Sequence, residues 1–268
     1  MGALWASYMQ ESSTIPALKY FTTKVEDLEI KALMEKALQT SKENLAELAG
    51  VFQKEDYHVP VGFSDEDVNV NAPRLYSDIY MLVYLRNMGK AGIASNGLAF
   101  SFLAREDIRK LYLGYLNAST QIQDDAKSVM LSKGVFVRPP YLSSPHEVSY
   151  VEKESFLNGW MGERRTLTAE EISHIFMNYA NNVYGKALLM GFAQTAQEKK
   201  VRDYFLRGIE LSRKIVDSLK LLFEESSLPS PTTWDTEVTD ATTQVFSDKL
   251  MMFQVLSLNS LSLGNRLN

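Results

Sequence analysis

Residues 27–54, DLEIKALMEKALQTSKENLAELAGVFQK, decide the fold. Ile30, Leu33, Met34, Ala37, Leu38, Leu45, Leu48 and Phe52 recur three and four positions apart, the spacing of one apolar helix face. Sliding the chain on itself by 171 residues, from Tyr8 to Tyr179, lays this stretch on a second one of the same kind. Met34 falls on Phe205, Leu38 on Ile209, Ser41 on Ser212, Leu45 on Val216 and Phe52 on Phe223. Upstream, Trp5 meets Phe176 and Phe21 meets Phe192. Beyond Phe52 one residue is lost in a loop. At a shift of 170, from Asp78 to Asp248, Asp65 then meets Asp235, Val68 meets Val238, Ser77-Asp78 meets Ser247-Asp248 and Met81 meets Met251. The chain is an internal repeat, and the fold must be read as two copies of one unit.

In the first copy, helices are expected over residues 4–22 and 27–54. Pro60, Gly62 and several Asp and Asn residues make 57–73 a long crossover loop. Asn71 and Pro73 read as the start of a third helix carrying Leu75, Ile79, Leu82, Leu85, Ile93 and Leu98. A fourth runs from about Ala104 to Ser132, with Glu106 and Asp107 at its positive end and Gly134 as its stop. Four helices with one long crossover have the connectivity of a ferritin-like bundle. Residues 135–167, rich in Pro, Ser and Gly, read as a connector. In the second copy Thr168 and Glu171 form a capping box, 198–225 repeats the second helix and 228–240 the loop. The third helix is expected to begin near Asp240. No fourth helix fits before Asn268, and by register about one turn of the first helix is missing at Met1.

The expected fold is therefore all-α: two tandem ferritin-like four-helix up-and-down bundles with a long crossover loop, the second lacking its fourth helix. The units are 1–134 and 168–268, joined by 135–167. The apolar residues Phe246, Leu250, Phe253, Leu256 and Leu263 should then leave a groove that a fourth helix would fill. A homo-oligomer or a partner helix on the exposed face of 246–263 is the expected occupant.

Composition bounds the function. With 28 basic residues among 33 acidic ones and a net charge of -5, the chain has no footprint for nucleic acid. It has no cysteine, which excludes disulfide scaffolds, cysteine-ligated metal and thiol catalysis. Met1–Ala6 has no secretory pattern, and Arg86, Lys90 and Asn96 interrupt the most apolar stretch, so neither export nor a membrane span is expected. A cytoplasmic location follows.

No catalytic constellation emerges from the motifs. A carboxylate-bridged di-metal centre needs Glu-x-x-His on two facing helices of one bundle. Glu55/His58 and Glu171/His174 have the spacing, but they lie at helix ends in different copies. Gly89, Gly92 and Gly97 match no phosphate loop and read as close helix packing. No Gly-x-Ser-x-Gly elbow occurs. No cofactor is expected.

The suggestive polar positions are those kept by register. Asp78 and Asp248 stand near the start of an apolar helix in both copies, where a carboxylate suits free N–H groups. Glu11 and Asn182 occupy equivalent places, as do Tyr8 and Tyr179. These six are candidates for a polar interior or a partner contact. The many tyrosines at core spacing could line a pocket or simply seal helix seams. Arg138, Arg164 and Arg165 read as a bridge between the copies through carboxylates.

Several stretches also resemble a known family. Met130-Leu-Ser-Lys-Gly134, Val137-Arg-Pro-Pro-Tyr141, Ser155-Phe-Leu-Asn-Gly-Trp160, Gly162-Glu-Arg-Arg165 and Phe246-Ser-Asp-Lys-Leu-Met-Met-Phe253 are similar to domain of unknown function 3231 of spore-forming bacteria. The resemblance covers essentially the whole chain. It implies tandem ferritin-like bundles, spore-coat-like proteins and a spore association, with no established activity and no site residues to carry over. The expected role is a non-catalytic structural or interaction protein. The alternatives are a carrier of a small or lipid-like molecule in the bundle interior, then a di-metal oxidoreductase.

Overall fold

The computed structural model describes residues 1–142 and 167–264, with side chains to residue 260. They form seven helices: α1 Gly2–Lys24, α2 Leu28–Lys54, α3 Asp78–Phe102, α4 Glu106–Ser132, α5 Ala169–Thr195, α6 Lys199–Glu225 and α7 Asp248–Gly264. The described residues contain no β-strand beyond two isolated bridges. Helix α2 starts where Asp27 accepts hydrogen bonds from the N–H groups of Glu29 and Ile30. Helix α5 starts in the capping box of Thr168 and Glu171. The repeat register reappears in the backbone: α6 spans the residues that α2 spans shifted by 171, and Asp56 and Ser227 share the same left-handed turn after them. The short 3-10 turns Asp65–Asp67 and Asp235–Glu237 and the starts of α3 and α7 keep the later shift of 170. Arg164 and Arg165 of the connector lie outside the described residues.

The third helix starts later than the sequence signals imply, at Asp78 instead of Asn71 or Pro73, and at Asp248 instead of Asp240. The residues between stay out of the helix because their backbone bonds to the other copy at points on either side of a turn at 70–72. Val68 bridges Phe246 and Tyr76 bridges Val238, both antiparallel. The Asn69 N–H donates to Val245 O at 2.7 Å, and the Thr239 N–H to Leu75 O at 3.0 Å. The Ser77 N–H donates to Glu237 O and the Ser247 N–H to Asp67 O, both at 2.9 Å. Every bond maps onto another when the copies are exchanged, which is the isologous logic of a two-fold dimer built inside one chain.

The Ser-Asp pairs close this arrangement. Ser77 Oγ accepts from the Tyr80 N–H and bonds the Glu237 carboxylate, while Ser247 Oγ accepts from the Leu250 N–H and donates to Asp67 Oδ1 at 2.7 Å. Each serine thus caps its own helix and holds the other copy. Asp67 is 2% exposed. Burial alone would raise its pKa, but Ser247, the Ser64 N–H and Lys249 hold it below the ordinary carboxylate value.

One apolar core runs through both copies. Phe246 packs its ring against Tyr20, Phe21 and Phe192 at centroid distances of 5.4, 6.3 and 6.1 Å. Tyr76 and Tyr80 stack at 4.6 Å and donate their hydroxyls to the carbonyls of Leu188 and Tyr184, each at 2.9 Å, tying α3 to α5. The two-fold relation is broken where it must be. Tyr20 corresponds to Gly191, and the Tyr76 ring lies in the space that a side chain at Gly191 would need. The expected groove on 246–263 is therefore largely filled by the first copy: Phe246 and Leu250 are buried and Phe253 packs on Phe63 at 5.0 Å. Leu256 alone of the described set is exposed, and the Leu263 side chain lies outside the description.

Of the three glycines expected to serve close packing, two do. A Cβ on Gly89 would lie 2.8 Å from the Gln123 backbone N and 2.9 Å from Ser119 O, and one on Gly92 would strike Ser119, whereas Gly97 faces open space. G89A should cost about 1–3 kcal/mol by forcing α3 and α4 apart. G97A should be neutral or gain up to about 1 kcal/mol from helix propensity, both read by chemical denaturation. S247A should cost about 1–3 kcal/mol, since it removes a cap and leaves Asp67 short of a partner. Acid should act through the same carboxylate. Its stabilisation is present above the unfolded carboxylate pKa and lost as pH falls through the depressed folded value, so D67N should flatten the acid limb of the stability profile.

The core tyrosines set the alkaline limit. Burial pushes the Tyr20 phenol up to about 12 and those of Tyr76, Tyr80 and Tyr184 well above the ordinary range. Their contribution is present below the unfolded phenol pKa of about 10 and lost as pH rises toward the folded values. Their phenolate absorbance should appear together with loss of helical circular dichroism. Ionisation with helicity intact would contradict this burial.

Candidate functional site

Small residues on α3 and α4 that let these helices approach also leave room beside them. Gly89, Ala91, Gly92 and Ala99 of α3 and Ala118 and Ser119 of α4 border a partly open cavity of about 430 Å³ between the first copy and helices α5 and α7 of the second. Helices α1 and α2 supply its polar wall with Glu11, Thr14, Ser41 and Asn44. The second copy closes another side through Tyr184 and Leu188 of α5 and Phe253 and Gln254 of α7. Gln254 is held there by a bond from Nε2 to Ser13 O at 3.3 Å. The pairing of the copies therefore builds part of the cavity wall.

Glu11 is the one carboxylate in this lining. Asn44 Nδ2 donates to its Oε1 at 2.8 Å. Burial raises its pKa, and the hydrogen bonds from Asn44 and Ser41 oppose that rise. Among the described residues no cation contributes to this balance. Its wall neighbour Tyr115 donates to Asn44 O at 3.4 Å, and its phenol is raised by burial and then by the charges of Glu47 and Glu11. At the equivalent places in the second copy stand Asn182 and Ile215. Asn182 turns its amide back to Asn178 O at 2.8 Å within its own helix.

The six positions singled out by register divide in three. Asp78 and Asp248 bind neither their own helix ends nor the cavity. They reach the turn between the preceding helix pair, where Asp78 accepts from the N–H groups of Glu26 and Asp27 (3.1 and 2.8 Å) and Asp248 from those of Gln197 and Glu198 (3.1 and 2.7 Å). Tyr8 packs edge-on against Phe52 at 6.0 Å and Tyr179 against Phe223 at 6.0 Å, and the Tyr179 hydroxyl donates to Pro231 O. Glu11 alone of the six enters the cavity. Sequence reading missed Asn44, Ser41 and Gln254. A helical-wheel projection of α1 against α2 could have paired Glu11 with Asn44, but nothing local marks Gln254.

The two Glu-x-x-His pairs are used otherwise. Glu55 pairs with Arg105 at 2.8 Å, and Glu171 serves the cap of α5. Among the described residues no group of three His, Cys, Asp or Glu stands close enough to hold a metal. No described helix is long and apolar enough to cross a membrane.

Comparison with known proteins adds the following. No curated protein matches. Among solved structures, the chain is similar to the crystal structure of "a putative spore coat protein" from Bacillus halodurans C-125, at 17% identity and a TM-score of 0.48 over 53% of this chain and 92% of that one. A family model described as "Protein of unknown function (DUF3231)" matches residues 1–148 and 155–267. Since that match spans nearly the whole chain, the protein belongs to the DUF3231 family.

Proposed function

We propose that the chain is a non-catalytic binding protein, a tandem of ferritin-like helical units in which the first takes a small amphipathic molecule into its interior. The observation that carries this reading is the cavity of about 430 Å³. That size falls in the range of small-molecule pockets, and the wall suits an amphipathic occupant, since apolar side chains such as Met88, Ile122 and Leu188 alternate with polar ones such as Asn44, Asn87 and Gln254.

Support against chemistry comes from how the polar groups are spent. Glu55, Glu171, Asp78 and Asp248 are engaged in ion pairs, caps and turns, which leaves Glu11 as the one carboxylate among the described residues of the cavity wall. A second reading, contact with a further chain, draws on exposed apolar side chains. Leu256 on α7 and Leu221 on α6 are 55% and 57% exposed. A concentration-dependent rise in mass by analytical ultracentrifugation would favour it, and a monomer at all concentrations would remove it.

The test of the main reading is displacement of an environment-sensitive apolar dye. The wild-type protein should bind the dye at a saturable site, and A91W, which places an indole in the cavity, should abolish that binding with helical content unchanged. Equal dye binding by the two proteins would overturn the assignment.

A further inference from the structure

We infer that the molecule bound in this cavity is an amphipathic amine whose ammonium group pairs with Glu11 and whose apolar body lies along α3 and α4. The inference rests on the binding reading just given. It goes further by fixing the chemistry of the headgroup.

The argument begins with what Glu11 lacks. Glu11 is half-buried, facing the cavity. A carboxylate partly withdrawn from water is costly unless it is paired, and proteins ordinarily place a lysine or arginine against it. Here the polar partners of Glu11 are the amide of Asn44 and the hydroxyl of Ser41. These are neutral groups, and they donate to the carboxylate. Nδ2 of Asn44 sits 2.8 Å from Oε1, which orients the side chain as an acceptor, and two carboxylate oxygens have lone pairs beyond those that Asn44 and Ser41 use. The complement of an oriented acceptor in an apolar wall is a cation with N–H groups.

Two further features of the wall agree. Tyr84 and Tyr184 line the cavity, and ring faces of this kind attract an ammonium that has lost part of its water. The remaining border sets Met88, Ala91, Ala99 and Ile122 beside the neutral polar groups of Asn87, Asn96 and Ser119, and among the described residues it offers an ammonium no second anion. Glu11 is therefore the one described charge in a wall that is otherwise apolar or neutral.

The repeat supplies an internal control. The second copy has no fourth helix among the described residues and carries Asn182 and Ile215 where the first has Glu11 and Asn44. The polar pair accompanies this cavity and is missing at the equivalent places of the second copy. A pair needed only to hold α1 against α2 would serve equally between α5 and α6, which pack in the same way.

The experiment compares n-octylamine, n-octanol and n-octanoate by titration calorimetry on the full chain at neutral pH. The amine should bind roughly tenfold or more tightly than the alcohol, the ratio set by one charge-assisted hydrogen bond, and the octanoate most weakly. E11Q keeps shape and folding but removes the charge, and should abolish the preference while the alcohol still binds. E11N, which installs the residue of the second copy, should do the same and guards against a fault peculiar to glutamine. Equal binding of amine and alcohol to the wild type would overturn the amine assignment and leave the cavity reading intact. A preference that survives in both variants would also overturn it. Failure of all three compounds, together with absent dye binding, would overturn the cavity reading itself.

Discussion

The antiparallel pairing of the two crossover segments, Val68 with Phe246 and Tyr76 with Val238, is the constraint on which the rest of the molecule depends. A crossover must carry the chain from one helix pair to the next across an apolar core. Its backbone N–H and C=O groups are then partly out of water and must be satisfied. Neither segment has a strand of its own copy beside it. Each finds its partner in the other copy, and the same register that pairs the backbones sets Ser77 against Glu237 and Ser247 against Asp67. A helix cap and a contact between copies thus depend on a single hydroxyl.

This exchange explains why the aromatic core is continuous. Once the segments pair, Tyr76 and Phe246 are carried into the opposite copy, where each meets the first helix of that copy. A symmetric dimer would have to place the same residue at both meetings. A single chain is free to differ, and it does: Tyr20 bonds Pro73 O and the Leu75 N–H with its hydroxyl, while Gly191 makes way for the ring of Tyr76. The cavity follows from the same freedom. Helix α7 and part of α5 lean on the first copy and close a space whose polar wall, Glu11 and Asn44, has no counterpart in the second.

Much of this was legible in the sequence. Helix identity and the two repeat shifts follow from apolar periodicity, because the same faces are buried in both copies, and the one-residue deletion falls where the left-handed turns at Asp56 and Ser227 give way to the crossover. The start of the third helix was misplaced for a physical reason. Asn71 and Pro73 carry the local signals of a helix start, and Leu75 to Ile79 continue the helical spacing, but pairing with the other copy at Val68 and Tyr76, on either side of a turn at 70–72, keeps the segment out of a helix and the serine at 77 becomes the cap. Local preference lost to backbone satisfaction across the repeat, which single-residue signals do not encode. The groove expected on 246–263 is covered in part: Phe246 and Leu250 are buried against the first copy, while Phe253 borders the cavity and Leu256 is exposed. Glu11 was legible as a register position opposite Asn182, whereas the cavity was not. It arises from small residues on helices whose approach depends on Gly89 and Gly92 meeting Ser119 and Gln123.

If the two copies form one unit through their crossovers, the amides of Asn69, Ser77, Thr239 and Ser247 should be among the last in the molecule to exchange with solvent. Native-state hydrogen exchange resolved at these four positions is the direct measurement. The account requires all four to share one opening free energy, equal to that of global unfolding. Exchange at rates typical of exposed loops, with the helices still protected, would contradict it and would make the two copies independent units that merely touch.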